Sequence, residues 1–102
     1  MNKFNITPGT IFYSSWGYEQ TKVSFYQVVK LSGKASVVIR EISETDNLDF
    51  RGHVMPNRDQ FIGDEMRKRI NVALDDPSIK ISDYEHAYLW DNKPKYVSIH
   101  AY

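Results

Sequence analysis

The residues whose types could support recognition chemistry lie together in one stretch, Trp16-Gly17-Tyr18-Glu19-Gln20-Thr21, between two apolar runs. Aromatic rings around a glycine-containing turn can stack on bases, cage a cation or line a groove for an extended peptide. The contact surface predicted from this stretch consists of Trp16, Tyr18, Glu19, Gln20 and the nearby Tyr26. Packing offers a second explanation for Trp16, because small domains often complete a core with aromatic side chains.

A basic cluster, Arg67-Lys68-Arg69, is the second candidate, with Arg58 upstream of it. Side chains alternate along a strand, so Arg67 and Arg69 would share one face and Lys68 would lie opposite. If Arg58 joined that face, the three guanidinium groups could contact the phosphates of a nucleic acid. The acidic residues Asp59, Asp64 and Glu65 lie close in sequence and would partly neutralise such a patch, so a solvated charged face is the alternative.

No residue pattern in the sequence is specific for catalysis or metal binding. The absence of cysteine excludes thiolate ligands, and the three histidines, His53, His86 and His100, fit no ligand spacing. A site assembled in three dimensions from His86, His100 and Glu85 stays open. No serine lies in a Gly-x-Ser-x-Gly elbow, and the five glycines form no phosphate-binding loop. We therefore predict a protein that is not an enzyme and uses no cofactor or metal.

Length and charge narrow the class of partner. The 102 residues suit a single domain, 1–102, with one main core. Thirteen basic and thirteen acidic side chains cancel, which favours a mixed polar and aromatic interface with a protein or peptide. A nucleic acid is the alternative partner. No apolar run is long enough for a membrane span or a signal peptide, so we expect a cytoplasmic protein without membrane contact.

The elements that must position these residues are mostly strands. Thr10 to Trp16 predicts a first strand, and Lys22 to Leu31 predicts a second with apolar side chains on both faces. Ser32-Gly33-Lys34 supplies turn chemistry, and Ala35 to Ile42 returns as the other arm of a hairpin. Strands that are apolar on both faces are typical of a small closed barrel or of a sheet that wraps on itself.

The second half of the chain is less regular. Ser43 to Asp49 is acidic and predicts an exposed loop, whereas positions 66–72 favour a strand over a helix. Ser82 to Glu85 has the spacing of a capping box, which predicts one or two helical turns through Tyr88. The predicted fold class is mainly β: a small SH3-like or related partly open barrel of five to seven short strands, with one short helix near the C-terminus.

The motif SWGYEQT-x-V-x-FYQVV, from Ser15 to Val29, resembles a family of small uncharacterised bacterial and phage-associated proteins. The segments Ala87 to Asp91 and Lys95 to Ser98 are also similar to that family. The resemblance covers most of the chain. It implies a single compact domain of bacterial or phage origin, and it carries over no catalytic residue.

Overall fold

The computed structural model describes residues 6–16, 22–46, 53–71, 77–93 and 95–96, and every regular element among them is a strand. All pairings between these strands are antiparallel. The strands are β1 (Ile11–Trp16), β2 (Lys22–Leu31), β3 (Ser36–Asp46), β4 (His53–Phe61), β5 (Met66–Asn71), β6 (Ser78–Ser82), β7 (Glu85–Leu89) and β8 (Lys95–Tyr96). Within the described ranges, no helix is long and apolar enough to span a bilayer.

Six of these strands close into a barrel. The order around the ring is β1, β2, β3, β5, β6 and β7, and β1 pairs with β7 to complete it. Ser14 lies opposite Ala87 and Phe12 opposite Leu89 at this junction. The predicted fold class, a mainly β small barrel, is confirmed. The sequence predicts a partly open barrel. The ring is closed in the structure, so each of its strands has a neighbour on both sides. The SH3-like assignment stays a prediction.

The barrel interior is filled by apolar side chains from every strand of the ring. Because side chains alternate along a strand, Val37 and Ile39 of β3 point inward while Val38 points outward. The inner core consists of Ile6, Phe12, Tyr26, Val28, Val37, Ile39, Ile70, Ile79 and Ala87. Burial of these side chains is the main source of stability for the barrel.

A second apolar cluster lies outside the ring. The first half of β3 pairs with β5, and its second half pairs with β4 along the same edge, so β4 and β8 leave the ring. They cover the outer face of β1 to β3. The outer core consists of Ile11, Val23, Phe25, Ile42 and Val54, with Tyr13, Phe61 and Trp90 packed against it. This second layer explains why β2 is apolar on both faces.

Strand β7 replaces the helical turns predicted from Ser82 to Tyr88, so that prediction is wrong. Ser82 pairs with Glu85 across a tight turn at residues 83–84, which joins β6 to β7 as a hairpin. Within the described part of the chain, the buried Ser82 Oγ has no hydrogen-bond partner. The Glu85 carboxylate is instead held by hydroxyl groups on distant strands. Tertiary contacts therefore override the local capping pattern.

Two further predictions concern the middle of the chain. The hairpin around Gly33 is confirmed, because Gly33 has a φ of 80° and the Ser32 amide donates to the Ser36 carbonyl at 2.9 Å. The exposed loop predicted from Ser43 is wrong in its first residues. Strand β3 continues there through Asp46 and pairs with β4, while positions 47 to 49 lie outside the described residues.

Candidate functional site

A long bulge in β4 builds one wall of a groove on the outside of the barrel. Four residues of β4, 57–60, lie between the pairs that β4 forms with Ile42 and Glu44, so they face the single residue Ser43. The extra residues force the strand to arch away from β3. Asn57 Nδ2 fixes the start of the arch by donating to Ser43 Oγ at 3.0 Å.

Gln27 of β2 clamps the tip of this bulge to the barrel. Its Nε2 donates to Asp59 Oδ1, and its Oε1 accepts from the Asp59 backbone amide, both at 2.8 Å. Gln27 is only 4% exposed, and a buried amide is stable there because both of its polar ends are bonded. Asp59 has a φ of 68°, a left-handed conformation that aspartate adopts more readily than most residues.

Two arginines line the groove and are held by backbone carbonyls. Arg40 Nε donates to the Gly63 carbonyl at 2.8 Å, and its guanidinium carbon lies 4.5 Å from the centroid of the Phe61 ring. Arg58 Nη1 donates to the Gly9 carbonyl. Among the described residues, neither guanidinium has a carboxylate within ion-pair distance. Both groups are therefore positioned by carbonyls and form no ion pair with a carboxylate of the described residues.

Glycine at position 63, whose carbonyl accepts from Arg40, allows a close approach to Glu41. A Cβ there would lie 3.2 Å from the Cβ of Glu41, which is tighter than an ordinary van der Waals contact. The amides of Ile62 and Gly63 both donate to the Glu41 carbonyl, at 2.9 and 3.3 Å. A side chain at this position would require Gly63 or Glu41 to shift by a few tenths of an ångström.

The groove has a volume of about 690 Å³, within the range of ligand sites in proteins. Its lining includes the Gln27 and Asp59 clamp, both arginines, the Phe61 ring and the exposed Glu65. Two cationic and two anionic groups thus meet around one aromatic ring. Such a lining can bind a ligand that presents both hydrogen-bonding and charged groups.

A polar cluster lies inside the barrel. Glu85 is 7% exposed, and its Oε2 accepts hydrogen bonds from Ser14 Oγ at 2.5 Å and from the Tyr26 hydroxyl at 2.8 Å. Burial, and after it the hydrogen bond and charge of Glu85, raises the pKa of Tyr26 well above its usual range. The phenol therefore stays protonated and acts as a donor, so the cluster joins β1, β2 and β7 from within.

Glu41 gives this cluster a pH dependence that can be measured. Burial, and after it the nearby Glu85 carboxylate, raises the pKa of Glu41 above its ordinary value of 4.5, and a Ser24 hydrogen bond partly offsets the rise. A raised pKa means that the folded protein binds this proton more tightly than the unfolded chain does. We expect the contribution of protonated Glu41 to the free energy of unfolding to be complete below pH 4.5. It should be lost as the pH rises through the pKa that Glu41 has in the folded protein.

The measurement is urea unfolding of the wild type and of Glu41→Gln across this pH range. The free energy of unfolding of the wild type, minus that of the variant, should fall with rising pH. A difference that is flat or increases with pH would contradict the assignment. Subtracting the variant cancels the titration of the carboxylates that do not interact with Glu41.

The first predicted contact surface falls only partly within the described residues. Trp16 ends β1, where it pairs with Lys22, and its side chain lies outside the described part. Tyr18, Glu19 and Gln20 also lie outside it. Tyr26 is 5% exposed and belongs to the inner core. It therefore presents no exposed ring to a partner.

The predicted phosphate contacts separate into two surfaces. Arg67 and Arg69 share the outward face of β5, as strand alternation predicts, and Lys68 turns inward to donate to the Ile81 carbonyl at 3.2 Å. Arg58 does not join them, because it lies on the β4 bulge and lines the groove. In the described part of the chain, no group of three or more histidine or acidic side chains could hold a metal ion.

Sequence reasoning missed most of the groove and the interior cluster. The sequence contained one indication of the groove, at Gln27. This side-chain amide lies within the apolar run Phe25 to Val29, and a buried amide needs hydrogen-bond partners. Nothing local to Gln27 identifies Asp59 as its partner, since the two are 32 positions apart. Glu85 was assigned to a helix cap, and its true partners are equally remote.

Similarity to known proteins gives no further guide to this site. The resemblance to the bacterial and phage-associated family rests on the motif around Trp16 and stays a prediction. Comparisons with protein-family models, with curated proteins and with solved structures found no match.

Proposed function

We propose that the protein is a peptide-binding module whose groove takes an extended segment carrying an acidic side chain. The observation that carries the proposal is the pair Arg40 and Arg58, both oriented by backbone carbonyls and both without a carboxylate partner in the described part of the chain. A carboxylate can accept two parallel hydrogen bonds from a guanidinium, which gives both energy and geometry.

The remaining lining favours a peptide over a polyanion. Asp59 and Glu65 lie in the same groove, and they would repel a chain of closely spaced phosphates. A peptide has amide groups that can donate hydrogen bonds to these carboxylates, and it can carry cationic side chains that form ion pairs with them. The Phe61 ring adds an apolar surface beside Arg40. The combination suits a partner of mixed polarity, in keeping with the balanced charge of the chain.

The aromatic and polar stretch that begins at Trp16 remains part of the proposal as a second contact. Its residues Trp16, Tyr18, Glu19 and Gln20 are proposed on sequence grounds to extend the interface. The proposed setting is the cytoplasm of a bacterium or of a cell infected by its phage, because the chain has no cysteine and resembles a bacterial and phage-associated family.

The test is selection of short peptides from a randomised display library, followed by titration of isotopically labelled protein with the selected peptides. We expect the selected sequences to share an Asp or Glu. Amide shifts should change at Gln27, Arg58 and Phe61. Changes at Trp16 and Tyr18 in the same titration would support this stretch as a second contact.

Charge-removing variants sharpen the test. Arg58→Gln should weaken binding of the selected peptides about tenfold, which corresponds to the loss of one charged hydrogen-bonding pair. Lys34→Gln removes an exposed charge in the β2–β3 turn and serves as the matched control. Equal affinity for Arg58→Gln and wild type, or shift changes confined to β5, β6 and β7, would overturn the proposal.

A further inference from the structure

The outer face of β5, β6 and β7 carries a row of basic side chains on neighbouring strands. Lys80 pairs with His86, and the register of Ile70 with Ile79 places Arg69 beside Lys80. Arg69 and Lys80 line one shallow cavity of about 390 Å³. All three polar side chains of the row are exposed. Since strands lie about 4.8 Å apart, the row spans roughly 10 Å.

An aromatic row lies beside the basic one. Tyr88 pairs with Ser78 on one side and with Tyr13 on the other. The two tyrosine rings are 6.4 Å apart between centroids and tilted by 51°. Lys95 Nζ lies 4.1 Å from the centroid of the Tyr13 ring and covers it, whereas Tyr88 is 45% exposed. Tyr88 therefore presents a ring to solvent next to His86 and Lys80.

Acidic side chains are absent from the outward positions of these strands in the described part of the chain. Arg67 extends the basic row along β5, with its Nε bonded to Ser32 Oγ at 2.9 Å. Among the described residues, Lys80 forms an ion pair with Asp83 that is 3.4 Å long, between side chains that are 63% and 96% exposed. Such an exposed pair contributes little, so the cation of Lys80 remains available.

We propose that this face binds single-stranded nucleic acid, with phosphates on Arg67, Arg69 and Lys80 and an unpaired base stacked on Tyr88. Cationic side chains beside an exposed aromatic ring are the two parts that single-strand binding requires. A duplex would offer the phosphates but no free base face to the ring. The face shares no residue with the peptide groove, so this second function is independent of the first.

The experiment is fluorescence anisotropy of the intact chain with labelled single-stranded DNA, single-stranded RNA and duplex DNA, each of about 10 nucleotides or base pairs. We expect both single strands to bind more tightly than the duplex. Affinity should fall with salt along a double-logarithmic slope of about −2, as three phosphate contacts predict. The relative affinities of DNA and RNA identify the natural ligand.

Variants assign the two kinds of contact separately. Tyr88→Ala should weaken single-strand binding about tenfold without changing the salt slope, and Tyr88→Phe should retain it. Arg69→Gln combined with Lys80→Gln should make the slope shallower, to about −0.7. These side chains are exposed, and melting curves verify that each variant folds. Arg58→Gln, the groove variant, should bind nucleic acid like the wild type.

Three results would overturn the proposal. One is the absence of single-strand binding at about 50 mM salt, where electrostatic contacts are strongest. Another is equal binding of duplex and single strands together with an unchanged affinity of Tyr88→Ala. The third is loss of binding in Arg58→Gln, which would move the nucleic-acid contact to the groove and leave the face of Tyr88 without a role.

Discussion

Replacing Glu85 by alanine is expected to lower the free energy of unfolding by about 3 kcal/mol, the sum of two buried hydroxyl groups left without an acceptor. Ser14 and Tyr26 both donate to this one carboxylate oxygen inside the barrel. The substitution also leaves a small cavity, which adds to the loss. Urea unfolding followed by tryptophan fluorescence measures the change.

Two control variants separate the buried acceptor from a general effect of removing an acid. Asp83→Ala removes an exposed carboxylate from the adjoining turn and should change the stability by less than about 0.5 kcal/mol. Glu85→Gln keeps an acceptor oxygen at the same place and should lose less than the alanine variant. If Glu85→Ala were as stable as Asp83→Ala, the hydroxyl groups would have another acceptor and the cluster would not join the strands.

Gln27→Ala should lower the free energy of unfolding by about 2 kcal/mol, because two part-buried hydrogen bonds to Asp59 are lost. Besides lowering the stability of the whole domain, the substitution should loosen the β4 bulge. The tip of the β4 bulge loses its attachment to β2, so the Asp59 amide should exchange with solvent much faster than in the wild type. Hydrogen exchange measured by NMR checks this directly.

Asp59→Asn is the matched control for the clamp. Asparagine tolerates the left-handed conformation of position 59 and retains Oδ1 as an acceptor, so the bonds to Gln27 should persist. Its stability should lie close to that of the wild type. Exchange at position 59 in Gln27→Ala that is as slow as in Asp59→Asn and the wild type would show that the clamp does not hold the groove wall.

Strand identity was readable from the sequence wherever alternation is strong. Lys22 to Leu31 and the return arm from Ala35 have apolar residues on both faces, and this pattern predicts a barrel because a flat sheet would expose one of the two faces. The alternation of Arg67 and Arg69 around an inward Lys68 was likewise predictable, since it depends only on the period of a strand.

The site could not be predicted because its parts meet through long-range pairing. The bulge of β4 depends on how Ile42 and Glu44 pair, and no residue of 57–60 signals this by itself. The Ser82 to Glu85 spacing fits a helix cap and a tight hairpin equally well, and the pairings of β7 and the bonds of Glu85 to Ser14 and Tyr26 favour the hairpin. Local patterns define elements, while the partner of Gln27 depends on how β4 pairs with β3, and the partners of Glu85 depend on the closed ring.

Closure of the ring between β1 and β7 has a consequence for synthesis on the ribosome. Ser14 and Glu85, which meet at this junction, are 71 positions apart. At roughly 10 residues per second, translation of that interval takes on the order of seven seconds. The edge of β1 that pairs with β7 has no partner until β7 has been made. An unpaired edge strand is a template for misassembly. Ribosome-associated chaperones that shield nascent strands would therefore raise the yield of the native barrel.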